Sequence, residues 1–209
     1  MLVVGLTGGV ASGKTTVSRI LEQEGAYLID ADLIARELVQ PQTPTWSELI
    51  RVFGREILEK DESINRKALA DRVFSCPQKR GQLEKILHPQ ISREIDRRIE
   101  EIRKKDPEAV VVVDAALLVE TGAHRRMDKL IVVTATEAQQ VERLGRRTGA
   151  APQEARGILS AQMPLSEKVN VADFIIRNEG TLEETIRRTK EIFRELKTNA
   201  RHKREGAVA

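Results

Sequence analysis

The 209-residue chain sets 35 lysines and arginines against 32 aspartates and glutamates, a net charge of +3, and has 40% hydrophobic residues and one cysteine. That composition excludes collagen-like chains, disordered tails and small disulfide scaffolds, since a domain of this size buries well over half of its unfolded surface without covalent staples. The lone Cys76 closes no internal disulfide, and the two signs of charge nearly cancel, so the basic excess needs no nucleic acid to explain it.

The first predicted element is a buried strand, Leu2 to Leu6. It runs into Gly8-Gly9-Val10-Ala11-Ser12-Gly13-Lys14-Thr15, which satisfies G-x-x-x-x-G-K-[ST], and a helix is predicted from Thr15 to Glu24. Glycines let the backbone curl so that successive amides point at a polyphosphate, and the helix adds its positive end at the same spot. Lys14 is suited to the β- and γ-phosphates and the Thr15 hydroxyl to Mg²⁺. The loop therefore implies ATP or another nucleoside triphosphate, with Mg²⁺. A second strand, Ala26 to Ile29, leads into Asp30-Ala31-Asp32, where alternation would point both carboxylates to one side. Either could accept a proton from an attacking hydroxyl, or merely cap a helix starting at Leu33.

From Leu33 to Asp106 no convincing strand appears. Helices are predicted at about Ser47 to Phe53, Arg66 to Val73 and Pro77 to Lys104, so the segment reads as a helical insertion between the second and third strands. The third strand, Val110 to Val113, ends in Asp114, a carboxylate placed to help hold Mg²⁺. A fourth strand, Leu130 to Val133, precedes an arginine-rich helical excursion, Glu137 to Arg147 and Pro152 to Gln162. Its Arg143, Arg146, Arg147 and Arg156 could face a transferred phosphoryl group. A fifth strand, Phe174 to Ile176, and a helix, Leu182 to Lys197, complete the pattern, and Arg201, His202, Lys203 and Arg204 are expected as a frayed, solvated tail. Strands alternating with helices imply an α/β fold, a parallel sheet flanked by helices on both faces, with a helical insertion after the second strand and a second helical excursion after the fourth.

The beginning of the chain shows no basic leader, and no stretch reaches the roughly 18 apolar residues of a membrane span, so a soluble cytoplasmic protein without a membrane partner is expected. Only six aromatics occur, Tyr27, Trp46, Phe53, Phe74, Phe174 and Phe193, too few for a stacking surface along a nucleic acid. No N-K-x-D stretch marks a guanine site. A kinase of small molecules or nucleoside monophosphates, and a nucleotide switch that controls a partner surface, remain alternatives.

Several separate stretches resemble the dephospho-coenzyme A kinase family. They are Gly5-Leu6-Thr7-Gly8-Gly9 with Ser12-Gly13-Lys14-Thr15-Thr16, Ile29-Asp30-Ala31-Asp32 with Ala35-Arg36, His88-Pro89, Leu117-Leu118-Val119-Glu120, Gln162 with Lys168, and Ala172-Asp173 leading to Asn178 and Gly180. The resemblance implies transfer of the ATP γ-phosphate to the ribose 3′-hydroxyl of dephospho-coenzyme A. By it, Ala11 to Thr16 bind ATP, Asp32 is the base, Arg143 and Arg147 face the phosphates, and Asn178 and Gly180 lie near the adenine. His88 and Leu117 would meet the substrate, although His88 equally suits a helix-breaking His-Pro turn. It further implies a P-loop nucleotide-kinase-like arrangement, with a core of about 1–40, 105–136 and 169–200, a helical substrate-binding insertion of about 41–104 and a helical lid of about 137–168; a monomer or weak homo-oligomer is expected. The family usually has proline where Ala116 stands, which would leave the backbone there less constrained, and Ile158 takes the place of a second lid arginine.

Overall fold

The computed structural model describes residues 1–74 and 76–208, and their side chains except at 74 and 204–208. Contacts divide these residues into two compact units, residues 1–29 with 100–209, and residues 30–99.

The first unit is built on a five-stranded sheet of order β2-β3-β1-β4-β5, from β1 (Leu2–Gly8), β2 (Tyr27–Asp30), β3 (Val110–Asp114), β4 (Lys129–Thr134) and β5 (Phe174–Arg177). β1 lies parallel to β3 and β4, and β4 parallel to β5. The central strands are valine, leucine and isoleucine runs without polar alternation because both faces are covered. Leu2, Val4 and Leu6 pack with Val17 and Leu21 of α1 (Lys14–Gln23) and with Ile192, Phe193 and Leu196 of the last helix. On the opposite face Leu130 and Val132 pack with Leu118, Leu165 and Val169. Each fully buried aliphatic side chain contributes about 1.5–3 kcal/mol.

The second unit contains α2 (Ala31–Leu38), α3 (Pro44–Phe53), α4 (Arg66–Phe74) and most of α5 (Pro77–Lys105), around Leu49, Phe53, Ile57 and Val73. Side-chain caps start α2, α3 and α4. Asp30 accepts from the Leu33 amide at 2.9 Å, Thr43 from Trp46 at 3.1 Å, and Asn65 from Ala68 at 2.8 Å. Inside α5 the chain stays helical through Pro89, so His88-Pro89 forms no helix-breaking turn; a proline inside a helix removes one amide bond, and the flanking turns carry the helix past it.

The remaining helices belong to the first unit: α6 (Glu137–Thr148), α7 (Pro152–Ser160), α8 (Leu165–Asn170) and α9 (Leu182–Val208). α8 escaped the sequence reading because six residues hold too little periodicity. The expected frayed tail is instead the end of α9. Its apolar stripe stays buried to Ala200, and Lys203, one turn on, pairs with Asp128; the Arg204 side chain lies outside the described residues.

Candidate active site

The glycine loop leaves β1 at Gly8 and enters α1 at Gly13. A Cβ on Gly8 would stand 2.5 Å from the Val133 carbonyl oxygen and 2.7 Å from Ser12 Oγ, so only glycine lets the loop fold back onto β4. Gly13 has φ +95°, in the left-handed region. Ala11, with φ +56°, takes the same region despite its side chain, a local strain the surrounding contacts must hold.

Those contacts form a collar. Gln140 of α6 donates to the Val10 carbonyl at 2.6 Å, and Gln162 accepts from the Val10 amide at 3.1 Å, so both polar groups of one peptide residue are gripped. Asn178 Nδ2 donates to the Ser12 carbonyl at 2.8 Å, while its Oδ1 accepts from the Thr185 hydroxyl at 3.0 Å. Arg143 donates to the Ser12 carbonyl at 3.4 Å and to the Asn178 carbonyl at 3.0 Å. A capping box, Thr136 with Gln139, starts α6 and sets the register that turns Gln140 and Arg143 toward the loop.

The interior of the loop is left unpaired. Among the described residues the amides of Ala11, Gly13, Lys14 and Thr15 donate to nothing, and the buried Ser12 Oγ has no hydrogen-bond partner. These donors at the positive end of α1 fit the phosphates of a nucleoside triphosphate. Lys14 Nζ forms an ion pair with Asp114, whose residue is 4% exposed at the end of β3. Thr15 is an exposed residue, and its hydroxyl and the Asp114 carboxylate are hard oxygen donors of the kind Mg²⁺ takes beside phosphate oxygens and water. Among the described residues no cluster of three or more histidine, cysteine or acidic side chains stands ready for a metal. The donor set thus suits a cation brought in by phosphates. Beside the loop lies a cavity of about 680 Å³, lined in part by Gly9, Val10, Gln140, Arg156, Gln162 and Met163.

Comparison with known proteins decides the family. Residues 2–184 match the family model described as dephospho-CoA kinase. The chain belongs to the dephospho-CoA kinase family. A dephospho-CoA kinase of Geobacter metallireducens is 49% identical over 195 residues, covering 93% of this chain and 96% of that one. Among solved structures, a Thermus thermophilus protein superposes with a TM-score of 0.80 at 31% identity, covering 93% of this chain and 97% of its own. The dephospho-CoA kinase from Campylobacter jejuni superposes with a TM-score of 0.63 at 25% identity, covering 93% and 96%.

In this dephospho-CoA kinase family member, the expected site residues Gly8, Gly9, Ala11, Ser12, Gly13, Lys14, Thr15, Thr16, Asp114, Arg143 and Asn178 fall in or against one loop. Arg147 is exposed on α6, Gly180 is exposed just before α9, and Leu117 is 49% exposed beyond β3. Arg146 pairs with Glu142 at 2.6 Å and Arg156 with Glu137 at 3.6 Å. Asp32 and His88 are exposed residues of the unit spanning 30–99. The alternation argument for Asp30 and Asp32 fails, because β2 stops at Asp30 and Asp32 sits in the first turn of α2. Asp30 is the cap.

The sequence reading missed Gln140, although it lies three residues before Arg143 and hence on the same helix face. It quoted Gln162, Glu120 and Lys168 without giving them roles. At Ala116, where a proline ring would have fixed φ, the carbonyl accepts from both the Thr7 hydroxyl and Lys168 Nζ, each at 3.0 Å.

Proposed function

We propose that this chain transfers the γ-phosphate of ATP to the ribose 3′-hydroxyl of dephospho-coenzyme A, giving coenzyme A and ADP in the final step of coenzyme A biosynthesis. A bond forms between the ribose oxygen and the γ-phosphorus, the bond from that phosphorus to the β-bridging oxygen breaks, and the hydroxyl proton passes to a carboxylate. The observation that carries the reading is the convergence of unpaired loop amides, Lys14 and Asp114 at the carboxyl end of β1 and β3, in a chain matched by its family over residues 2–184.

Each residue then has a role. The loop from Gly8 to Thr16 cradles the phosphates, and Lys14 stands by the β- and γ-oxygens. Arg143 braces the loop through Ser12, and Arg147 faces the phosphates from the lid. Thr15 and Asp114 would hold Mg²⁺, which would supply neutralising charge at the phosphates. Asp32 is the base; in its support, Asp30 is spent on the α2 cap whereas Asp32 is exposed and has no partner among the described residues. Asn178 and Gly180 lie near the adenine, and His88 and Leu117 meet the acceptor. The insertion of about 41–104 grips the substrate and the lid of about 137–168 covers the nucleotide. The enzyme works in the cytoplasm as a monomer or weak homo-oligomer, without nucleic-acid partners; no described helix is long and apolar enough to cross a membrane.

The test is direct. The protein is incubated with ATP, Mg²⁺ and either dephospho-coenzyme A, adenosine or a panel of nucleoside monophosphates, and products are identified by mass. Coenzyme A formed selectively supports the reading; preferential phosphorylation of a monophosphate overturns it.

A further inference from the structure

Beyond Asp114 the chain leaves the sheet. The Ala115 amide still donates to the Leu6 carbonyl at 3.1 Å, but the next peptide has no neighbouring strand to hold it. Its place is fixed by side chains. The Ala116 carbonyl accepts from Thr7, which precedes Gly8 in β1, and from Lys168 of α8. Thr7 and Lys168 are both fully buried, at 0% exposure. Lys168 Nζ also meets Glu120 Oε1 at 2.6 Å, a charge contact and not an aligned hydrogen bond, since neither Glu120 oxygen receives one.

A buried ammonium is an inefficient source of stability, because apolar side chains of similar size fill such a space at little or no cost. What the charge supplies is direction: a donor held rigidly against one carbonyl oxygen. That carbonyl lies two residues past Asp114, whose carboxylate meets Lys14. We infer that Lys168 is a positioning residue for phosphoryl transfer, acting through the Ala116 carbonyl to fix the backbone beyond β3 and hence the aim of Asp114 at the site of Lys14. Glu120 balances its charge, and Thr7 is the second pin on the same oxygen. Because α8 follows the Gln162 contact to Val10, the short stretch from Gln162 to Lys168 holds both loops flanking the phosphate site, one by each end.

The inference rests on the assignment of Lys14 and Asp114 proposed above. The deciding variant is K168M/E120Q, which removes both buried charges together and so keeps the fold from carrying an unpaired one. Its melting temperature should stay near that of the parent. Its kcat should fall about tenfold to a hundredfold, as for a small misplacement of a reacting group, with KM for ATP changed by less than about threefold. A kcat equal to that of the parent would make Lys168 a packing residue only and overturn the inference. Should that variant fail to fold, Thr7→Val decides, since it removes the other donor at nearly constant volume: a reduced kcat supports the pinned carbonyl and an unchanged one refutes it. Lys14→Ala, run in parallel, separates the two levels. Full activity in that variant sinks the site assignment itself, whereas an inactive Lys14→Ala with fully active K168M/E120Q sinks only the role of Lys168.

Discussion

The meeting of Gly13 with Asn178 gives the sharpest quantitative test of how the loop is held. In Gly13→Ala the backbone must keep φ +95° and the new methyl overlaps the Asn178 side-chain amide. Forcing a non-glycine residue into the left-handed region costs about 1–2 kcal/mol. Displacing Asn178 breaks its bonds to Ser12 and Thr185, each worth about 1 kcal/mol, so the single variant should lose about 3–4 kcal/mol. Asn178→Ala alone loses those two bonds, about 2 kcal/mol, while Arg143 still reaches the Ser12 carbonyl. Once Asn178 has been truncated, Gly13→Ala meets no obstacle and costs only its backbone strain. The double variant should therefore be about as stable as Gly13→Ala, and the cycle should show a coupling of about 2 kcal/mol. Urea unfolding of the four proteins, followed by circular dichroism, measures it. If the two losses simply add, to within about 0.5 kcal/mol, Asn178 is not what Gly13 makes room for, and the reasoning fails.

Lys14→Ala should lower kcat/KM by at least about 10²–10³-fold, because the ammonium proposed to stand by the β- and γ-oxygens is lost; near-normal turnover with ATP and dephospho-coenzyme A would refute its placement. Asp32→Asn should depress kcat far more than Asp30→Asn, which keeps a side-chain oxygen for the Leu33 amide, whereas Asp30→Ala should cost about 1 kcal/mol of stability through the lost cap; equal losses of turnover in the two asparagine variants would leave Asp32 without its role. The Glu94 carboxyl is held down at about 2 by hydrogen bonds from Arg97 and then Arg98. A depressed folded-state pKa stabilises above the ordinary value of 4.5 and loses its contribution as pH falls from there toward about 2. Glu94→Gln should thus be less stable than the parent by about 1 kcal/mol near neutrality, after solvent screening, and the gap should shrink below about pH 4.5 and close toward about pH 2; a gap that widens on acidification, in urea midpoints, reverses the sign and refutes the assignment.

The parallel sheet was legible because its strands are short β-branched runs that the two covering layers leave no reason to interrupt. The phosphate loop was legible because its chemistry depends on glycines at fixed spacing beside one lysine. Element ends were harder wherever a side chain and not a pattern decides them: Asp30 ends β2 and caps α2, so the helix expected from Leu33 already starts at Ala31 and takes in Asp32. The end of α9 escaped because its stabilising partner, Asp128, lies 75 residues away from Lys203 in sequence.

The side-chain contacts that hold main chain around the site were its least legible part, for a physical reason that also bears on how the site works. Gln140, Gln162, Asn178, Thr7 and Lys168 all act on backbone carbonyls or amides, and a peptide group leaves no mark in the sequence at the position it occupies. The groups proposed to meet phosphate are few, and most side chains around them hold main chain in place. The main chain is what presents the unpaired amides, and Ala11 in the left-handed region would relax without its neighbours. Preorganised donors cost no rearrangement when charge develops on a transferred phosphoryl group. On the proposed assignment, stiffness of the loop is therefore itself a catalytic property, and the side chains that set it lie as far as 166 residues along the chain from the carbonyls they hold.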